Sequence, residues 1–262
     1  FDLKKIIALS TLSQLGLMMS VLSLGGLDLS FFHLLTHALF KALLFMSAGM
    51  VIHGFMGFQD IRFMGSLIYN MPLTCSFINI SNFSLCGLPF MSGFYSKDLI
   101  LEFMEMGYFN FFIYFLFFIS IGLTVSYSFR LFFYLNLGNF NFQGFNSIGD
   151  YSFNMLLGMM GLFILVIFMG SLLNWLIFEV PYIIYLTFYM KILTLLIIFM
   201  GVILGFEFSK FNLSYLNKSL LLNFLCKFLG GMWNMPLIIS FGLNYQPINL
   251  GGKFFNVDNC WL

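Results

Sequence analysis

Three side chains able to take up and release protons recur at i, i+4 and i+8: His33, His37 and Lys41. At about 100° per residue they form one helical stripe roughly 80° wide and about 12 Å long. A neutral imidazole can accept a proton on one nitrogen while releasing one from the other. A row of such groups, with Thr36 and Ser47 as nearby hydroxyls, can pass protons through a dry region. His33 taken alone has a second reading, as a residue that meets water at the end of its segment. For His37 with Lys41 the functional reading is favoured over the bland one, because an unpaired cation is costly to bury. A second cation, Lys97, lies in Gly93-Phe94-Tyr95-Ser96-Lys97-Asp98, just past Gly87-Leu88-Pro89. Its two readings are a polar site at a broken helix and a crossing that simply ends, leaving Lys97, Asp98, Glu102 and Glu105 in solvent. Adjacent residues on a helix diverge, so Lys97 and Asp98 are not expected to form a tight ion pair, whereas Asp98 and Glu102 share a face.

The elements that must hold these groups are membrane spans. Of the 262 residues 61% are hydrophobic and only 8% charged, with mean hydropathy +0.98; a soluble domain carries about 25% charge. Lys41 stands twelve positions from either end of the apolar stretch Leu29–His53. That is roughly 18 Å of helix on each side, which puts the ammonium near the midplane of a bilayer core about 30 Å thick. Its stem cannot snorkel from that depth, and a central lysine costs about 2.5–3.5 kcal/mol on insertion scales.

The hydropathy pattern predicts an all-α polytopic membrane protein with about six transmembrane helices. They run near Ile6–Leu24, Leu29–His53, Met71–Met104, Asn110–Leu135, Phe153–Phe178 and Tyr185–Phe206. Ser10, Thr11, Ser13 and Gln14 make one face of the first polar. The third is too long for one straight crossing, and the Gly87/Pro89 and Gly93 breaks predict a broken helix. Asn136–Tyr151 reads as a loop. Residues 1–206 are expected to form the bundle. Residues 207–262 are expected to be an interfacial and irregular segment, with Lys210, Lys218 and Lys227 spaced along apolar runs and an irregular tail from Asn244 to Leu262.

Other chemistries find little support. Net charge is +1 with no basic block, which argues against nucleic acid as a partner. Arg130 and Lys191 sit near span ends, where snorkelling accounts for them, and Glu179 and Glu207 read as interfacial. His33 and His53 lie about 30 Å apart on one helix, so they cannot ligate one haem iron. Cys75, Cys86, Cys226 and Cys260 form no C-x-x-C pair and read as small apolar residues. No nucleotide-binding or iron–sulfur spacing is seen, so no cofactor is expected on this chain. The 39 Phe and 18 Met, with many Ile, Asn and Tyr, fit an A/T-rich organellar gene.

Asp2-Leu3-Lys4-Lys5-Ile6-Ile7-Ala8 running into Ser10-Thr11-Leu12-Ser13-Gln14-Leu15-Gly16 resembles the antiporter-like membrane subunits of respiratory complex I. His33-Leu34-Leu35-Thr36-His37-Ala38-Leu39-Phe40-Lys41-Ala42-Leu43-Leu44-Phe45 is the strongest match. Gln59-Asp60-Ile61-Arg62, Gly87-Leu88-Pro89 and Gly93-Phe94-Tyr95-Ser96-Lys97-Asp98 follow in the same order, and Met232-Trp233-Asn234-Met235-Pro236 is more weakly similar.

The resemblance implies a bundle of two inverted repeats, each with a broken helix. It implies a central relay lysine at Lys41 with His37 and His33 leading to it, a terminal lysine at Lys97 and its acidic neighbour at Asp98. It also implies an enzyme subunit without a redox site of its own, in the mitochondrial inner membrane, beside other complex I membrane subunits and especially a neighbouring antiporter-like one. NADH, FMN, iron–sulfur clusters and ubiquinone would belong to the parent assembly. The family's first repeat would precede Phe1 and its last elements would follow Leu262, so the chain is expected to be a C-terminal-half segment. Two alternatives stand beside this reading: a subunit of a multi-subunit sodium/proton antiporter, and a structural membrane scaffold or non-functional fragment.

Overall fold

The computed structural model of the chain describes residues 1–107, 110–142, 144, 148–180, 182–210 and 223–260. They fall into two compact units, Phe1–Lys210 and Phe211–Leu262. All regular structure among the described residues is helical, apart from one isolated backbone bridge between Asp2 and Asp60.

The first unit contains α1 (Leu3–Ser23), α2 (Leu27–Gly54), the single turn α3 (Leu67–Asn70), α4 (Pro72–Cys86), α5 (Ser92–Met106), α6 (Phe111–Phe132), α7 (Phe153–Ile177) and α8 (Phe188–Ser209). Five elements are long and apolar enough to cross a membrane: Leu3–Ser23, Leu27–Gly54, Phe111–Leu137, Phe153–Ile177 and Phe188–Ser209. The broken pair α4 and α5 covers the expected Met71–Met104 crossing and is not among these five. The chain is a multi-pass membrane protein.

Helix α2 is the hub, packed against α1, α4, α5 and α7. Its buried Phe40, Leu43 and Val51 join Phe55, Ile61, Phe77 and Met159 in the main core. Between lipid-embedded helices, close packing and interhelical hydrogen bonds supply the attraction that water exclusion gives a soluble core.

The start of α1 and the end of α2 meet at one membrane face, where Leu3 N donates to Gln59 O (2.9 Å) and Ile61 N to Phe1 O (3.1 Å). In that polar loop Arg62 clamps the Asp60 carboxylate through Nε and Nη2. These hydrogen bonds hold the Asp60 carboxyl below the usual carboxylate range. Helix α4 begins at the same face with Pro72 in its first turn. Asp150 Oδ2 accepts from Leu73 N at 2.9 Å and so caps one of the helix's unpaired amides.

The break falls where the sequence places it. Gly87 closes α4 with φ +80°, the left-handed conformation that suits glycine, and α5 starts after Pro89 at Ser92. Gly93 lies so close to α4 that a Cβ would stand 1.7 Å from Ser84 O. At its far end α6 passes into a π-helical turn, Phe133–Leu137, so the segment expected as loop from Asn136 begins inside a helical turn. Helix α2 starts at Leu27, two residues earlier than expected, and takes Asp28 into its first turn, where an acidic side chain complements the helix dipole.

The second unit departs from expectation. It holds α9 (Asn223–Gly230), α10 (Met235–Leu237), a π-helical segment (Ile238–Leu243) and α11 (Tyr245–Asn259), so most of the tail expected to be irregular is helical. Pro247 is tolerated because it stands in the first turn of α11, where amides have no intrahelical partner. Asn223–Gly230 and Met235–Asn259 together are apolar enough to span a membrane, but are bent by 58°. Lys218, part of the expected interfacial pattern, lies outside the described residues.

A methyl group at position 93 meets backbone rather than a flexible side chain. Gly93→Ala should therefore cost about 3 kcal/mol or more and lower the amount of chain in native membranes. Gly16→Ala, with open space around position 16, should leave it unchanged. Equal levels of the two variants would contradict the close α4–α5 approach.

Candidate functional site

The antiparallel pairing of α1 and α2 sets Ser10 opposite Lys41 and Gln14 opposite His33. Lys41 is 4% exposed, and its Nζ donates to Ser10 Oγ. His33 is 1% exposed and bonded on both ring nitrogens, Nε2 to Gln14 Oε1 at 3.2 Å and Nδ1 to Ser96 Oγ at 3.0 Å. With the Gln14 oxygen as acceptor, Nε2 carries the proton and Nδ1 accepts from the serine. Thr36 Oγ1 also reaches Ser96 Oγ, at 3.0 Å. One polar cluster thus ties α1, α2 and α5 together. The alternative placement of His33 at a wetted segment end does not hold.

His37 lies between the two, its ring centroid 6.3 Å from that of His33 and its face closed by Phe40. Its Nε2 is buried without a hydrogen-bond partner in the protein. The stripe predicted from spacing therefore exists: His33, His37 and Lys41 are all buried on α2. Thr36 joins it, whereas Ser47 turns back to its own helix at Leu43 O and Leu44 O.

Lys97 is next in sequence to Ser96, the serine that bonds His33. It is 2% exposed, which excludes a cation left in solvent. Its Nζ donates to Thr124 Oγ1 of α6 at 2.8 Å and to Leu85 O at 3.4 Å, a carbonyl freed near the end of α4. Breaking the helix is what makes that carbonyl available. Lys97 and Asp98 form no ion pair: those among the described residues are Asp2–Lys5, Asp60–Arg62 and Glu207–Lys210. Asp98 is itself buried, with Oδ1 unpartnered. Glu102 and Glu105 follow on α5, and both Glu105 oxygens are buried without partners.

Sequence reasoning missed Ser96 and Thr124 as partners of these cations and histidines. Serine and threonine in a membrane helix ordinarily bond the carbonyl one turn back, as Thr124 also does to Ile121 O (2.8 Å). Nothing in their own spacing shows that they reach another helix. Among the described residues no group of three or more His, Cys, Asp and Glu could hold a metal ion.

Comparison with known proteins gives this geometry a family. Residues 1–124 match the transmembrane family described as NADH:quinone oxidoreductase/Mrp antiporter. Residues 127–262, just over half of the chain, match the family described as NADH dehydrogenase subunit 5 C-terminus. The chain belongs to the NADH dehydrogenase subunit 5 family.

Individual relatives agree. NADH-ubiquinone oxidoreductase chain 5 of Locusta migratoria is 56% identical over 253 residues, covering 96% of this chain and 44% of the relative. That of Aedes aegypti is 55% identical over 262 residues, all of this chain and 45% of the relative. In Loxodonta africana the chain of the same name is 49% identical over 137 residues, 52% of this chain and 23% of the relative. The chain thus spans less than half the length of these subunit 5 relatives.

Ser96 is the hinge between the histidine cluster and the Lys97 site. Ser96→Ala leaves His33 Nδ1 without a donor in a buried setting, which costs about 1–3 kcal/mol. The thermal midpoint of the assembled protein should fall, and Ser96→Thr should restore it. An unchanged midpoint for Ser96→Ala would show that the His33 contact carries no weight.

Proposed function

We infer that this chain is part of a proton-translocating membrane subunit of NADH:ubiquinone oxidoreductase in the mitochondrial inner membrane. The observation that carries this is the pair of buried lysines, Lys41 and Lys97, each held by a neutral hydroxyl rather than a carboxylate. A lysine paired with a carboxylate would be locked in the charged form. A lysine held by a hydroxyl can lose its proton and keep its hydrogen bond, because the hydroxyl can act as donor or acceptor.

In this reading a proton on Lys41 passes through His37 and His33 towards Lys97. His33 takes that proton at Nδ1, the nitrogen left basic while Nε2–H stays on Gln14, and passes it on through Ser96 beside Lys97. Lys97 then hands the proton to the membrane face reached through Asp98, with Glu102 and Glu105 beyond it on α5. Asp98 Oδ1 is buried and without a hydrogen-bond partner, so it has capacity for that proton. Residues 1–206 form the second half of the translocating module.

The driving energy would come from electron transfer between NADH and ubiquinone elsewhere in the parent assembly, through its FMN and iron–sulfur clusters. The partners are its other membrane subunits, including a neighbouring antiporter-like one. The name of the first matched family admits an antiporter reading, but the match of residues 127–262 to the subunit 5 C-terminus favours the respiratory assembly.

The test is NADH-driven proton pumping by the parent assembly in sealed vesicles. Lys41→Met retains the stem and removes the proton carrier, so pumping should fall about tenfold or more while the assembly forms. Wild-type pumping by Lys41→Met would sink the assignment.

A further inference from the structure

The two hydroxyls that hold the lysines open on one space. A cavity of about 380 Å³ lies between α1 and α6, with Ser10, Ser13, Ser120, Thr124 and Tyr127 in its wall. Ser10 is the partner of Lys41, and Thr124 the partner of Lys97. Tyr127 stands one turn beyond Thr124 on α6, so the two share the face that borders the cavity.

Where the hydroxyl protons go sets Tyr127 apart. Ser10 Oγ donates to Ile7 O (2.7 Å) and Ser13 Oγ to Ser10 O (2.9 Å). Ser120 Oγ donates to Phe117 O (2.7 Å) and Thr124 Oγ1 to Ile121 O (2.8 Å). Each of these spends its proton on its own helix. The Tyr127 hydroxyl is buried and bonds to nothing in the protein. Leaving a buried hydroxyl unmet costs about 1–3 kcal/mol, and phenylalanine would fill the same space without that cost.

The lysines have a use for such a proton. With its own proton on Ile7 O, Ser10 can only accept from Lys41, which suits the ammonium. A neutral Lys41 amine presents a lone pair and needs a donor. Ser10 supplies one by turning its O–H from Ile7 O to Nζ, and it donates better when its oxygen accepts a further hydrogen bond. Thr124 stands in the same relation to Lys97 and Ile121 O. Tyr127 has one proton to give, so it supports one neutral amine at a time.

We propose that Tyr127 is a positioning residue that lends its O–H in turn to Ser10 and to Thr124, so that Lys41 and Lys97 alternate as the neutral amine. It rests on the proton-translocating function inferred above and adds to it a link between the two lysines that carries no proton itself. When the Lys41 ammonium gives its proton to the histidines, Tyr127 turns to Ser10 and stabilises the amine left behind. When Lys97 gives up its proton, Tyr127 turns to Thr124, and Ser10 returns its O–H to Ile7 O as Lys41 is recharged. The open space between α1 and α6 gives the ring room for that shift. Tyr127 keeps its own proton throughout, and the one proton transferred is the one that leaves each lysine.

Tyr127→Phe tests this in the parent assembly in sealed vesicles, with Lys41→Met measured alongside. Because the Tyr127 hydroxyl is unpartnered, a purely structural role predicts that Tyr127→Phe assembles and pumps like wild type. The coupling predicts an assembled complex whose NADH-driven pumping has a kcat lowered about tenfold. The KM for ubiquinone should be unchanged and the solvent deuterium isotope effect larger. Tyr127→His, which returns an N–H donor to the cavity, should recover part of the rate. Wild-type pumping by Tyr127→Phe, equal loss in Tyr127→His, or failure of Tyr127→Phe to assemble overturns the coupling. Lost pumping in Lys41→Met beside normal pumping in Tyr127→Phe removes the coupling and leaves the function standing. Normal pumping by both removes the function as well.

Discussion

An ammonium group near the middle of a bilayer must find hydrogen-bond acceptors inside the protein, and much of this chain's organisation follows from meeting that demand twice. Lys41 is met by Ser10 of α1 and Lys97 by Thr124 of α6 and the carbonyl of Leu85. Each solution recruits a different helix, so satisfying two cations ties α1, α2, α4, α5 and α6 into one unit. The hydrophobic effect cannot assemble these helices within lipid. The polar contacts, few as they are, specify which faces meet.

The break between α4 and α5 is the second half of the same argument. A continuous helix would have spent the Leu85 carbonyl on its own ladder. Ending α4 at a left-handed glycine frees that carbonyl, and the close approach at Gly93 brings Ser96 and Lys97 back against α2 and α4. Ser96 then bonds His33 while its neighbour Lys97 bonds Thr124. The residues we assign to proton transfer are therefore contiguous because of backbone geometry, and the acidic side chains that follow on α5 inherit their direction from it.

Much of this was legible in the sequence, and the remainder was hidden for physical reasons. The His33–His37–Lys41 stripe follows from helical periodicity, and the broken helix from Gly87, Pro89 and Gly93, because both are local properties. Partners contributed by other helices are not local. Gln14 stood out as a polar residue in an apolar run, but its bond to His33 depends on the register of α1 against α2. Ser96 and Thr124 were invisible among the many hydroxyls that bond their own helix. Cys75 and Cys86 read as apolar until Asn136 and Ser128 appear across from them. The tail misled in the other direction: Pro247 and Gly251-Gly252 pointed to irregular chain, yet a proline in a first turn breaks no bond and α11 forms around them.

The central claim is that the buried lysines and histidines change protonation as the parent assembly works. Infrared difference spectra of that assembly, taken between rest and NADH-driven turnover with isotope-labelled lysine and histidine, read this directly. The account predicts lysine ammonium and imidazole bands that rise and fall with turnover and are lost in Lys41→Met. Spectra in which neither residue type changes, in an assembly that is pumping, would contradict it.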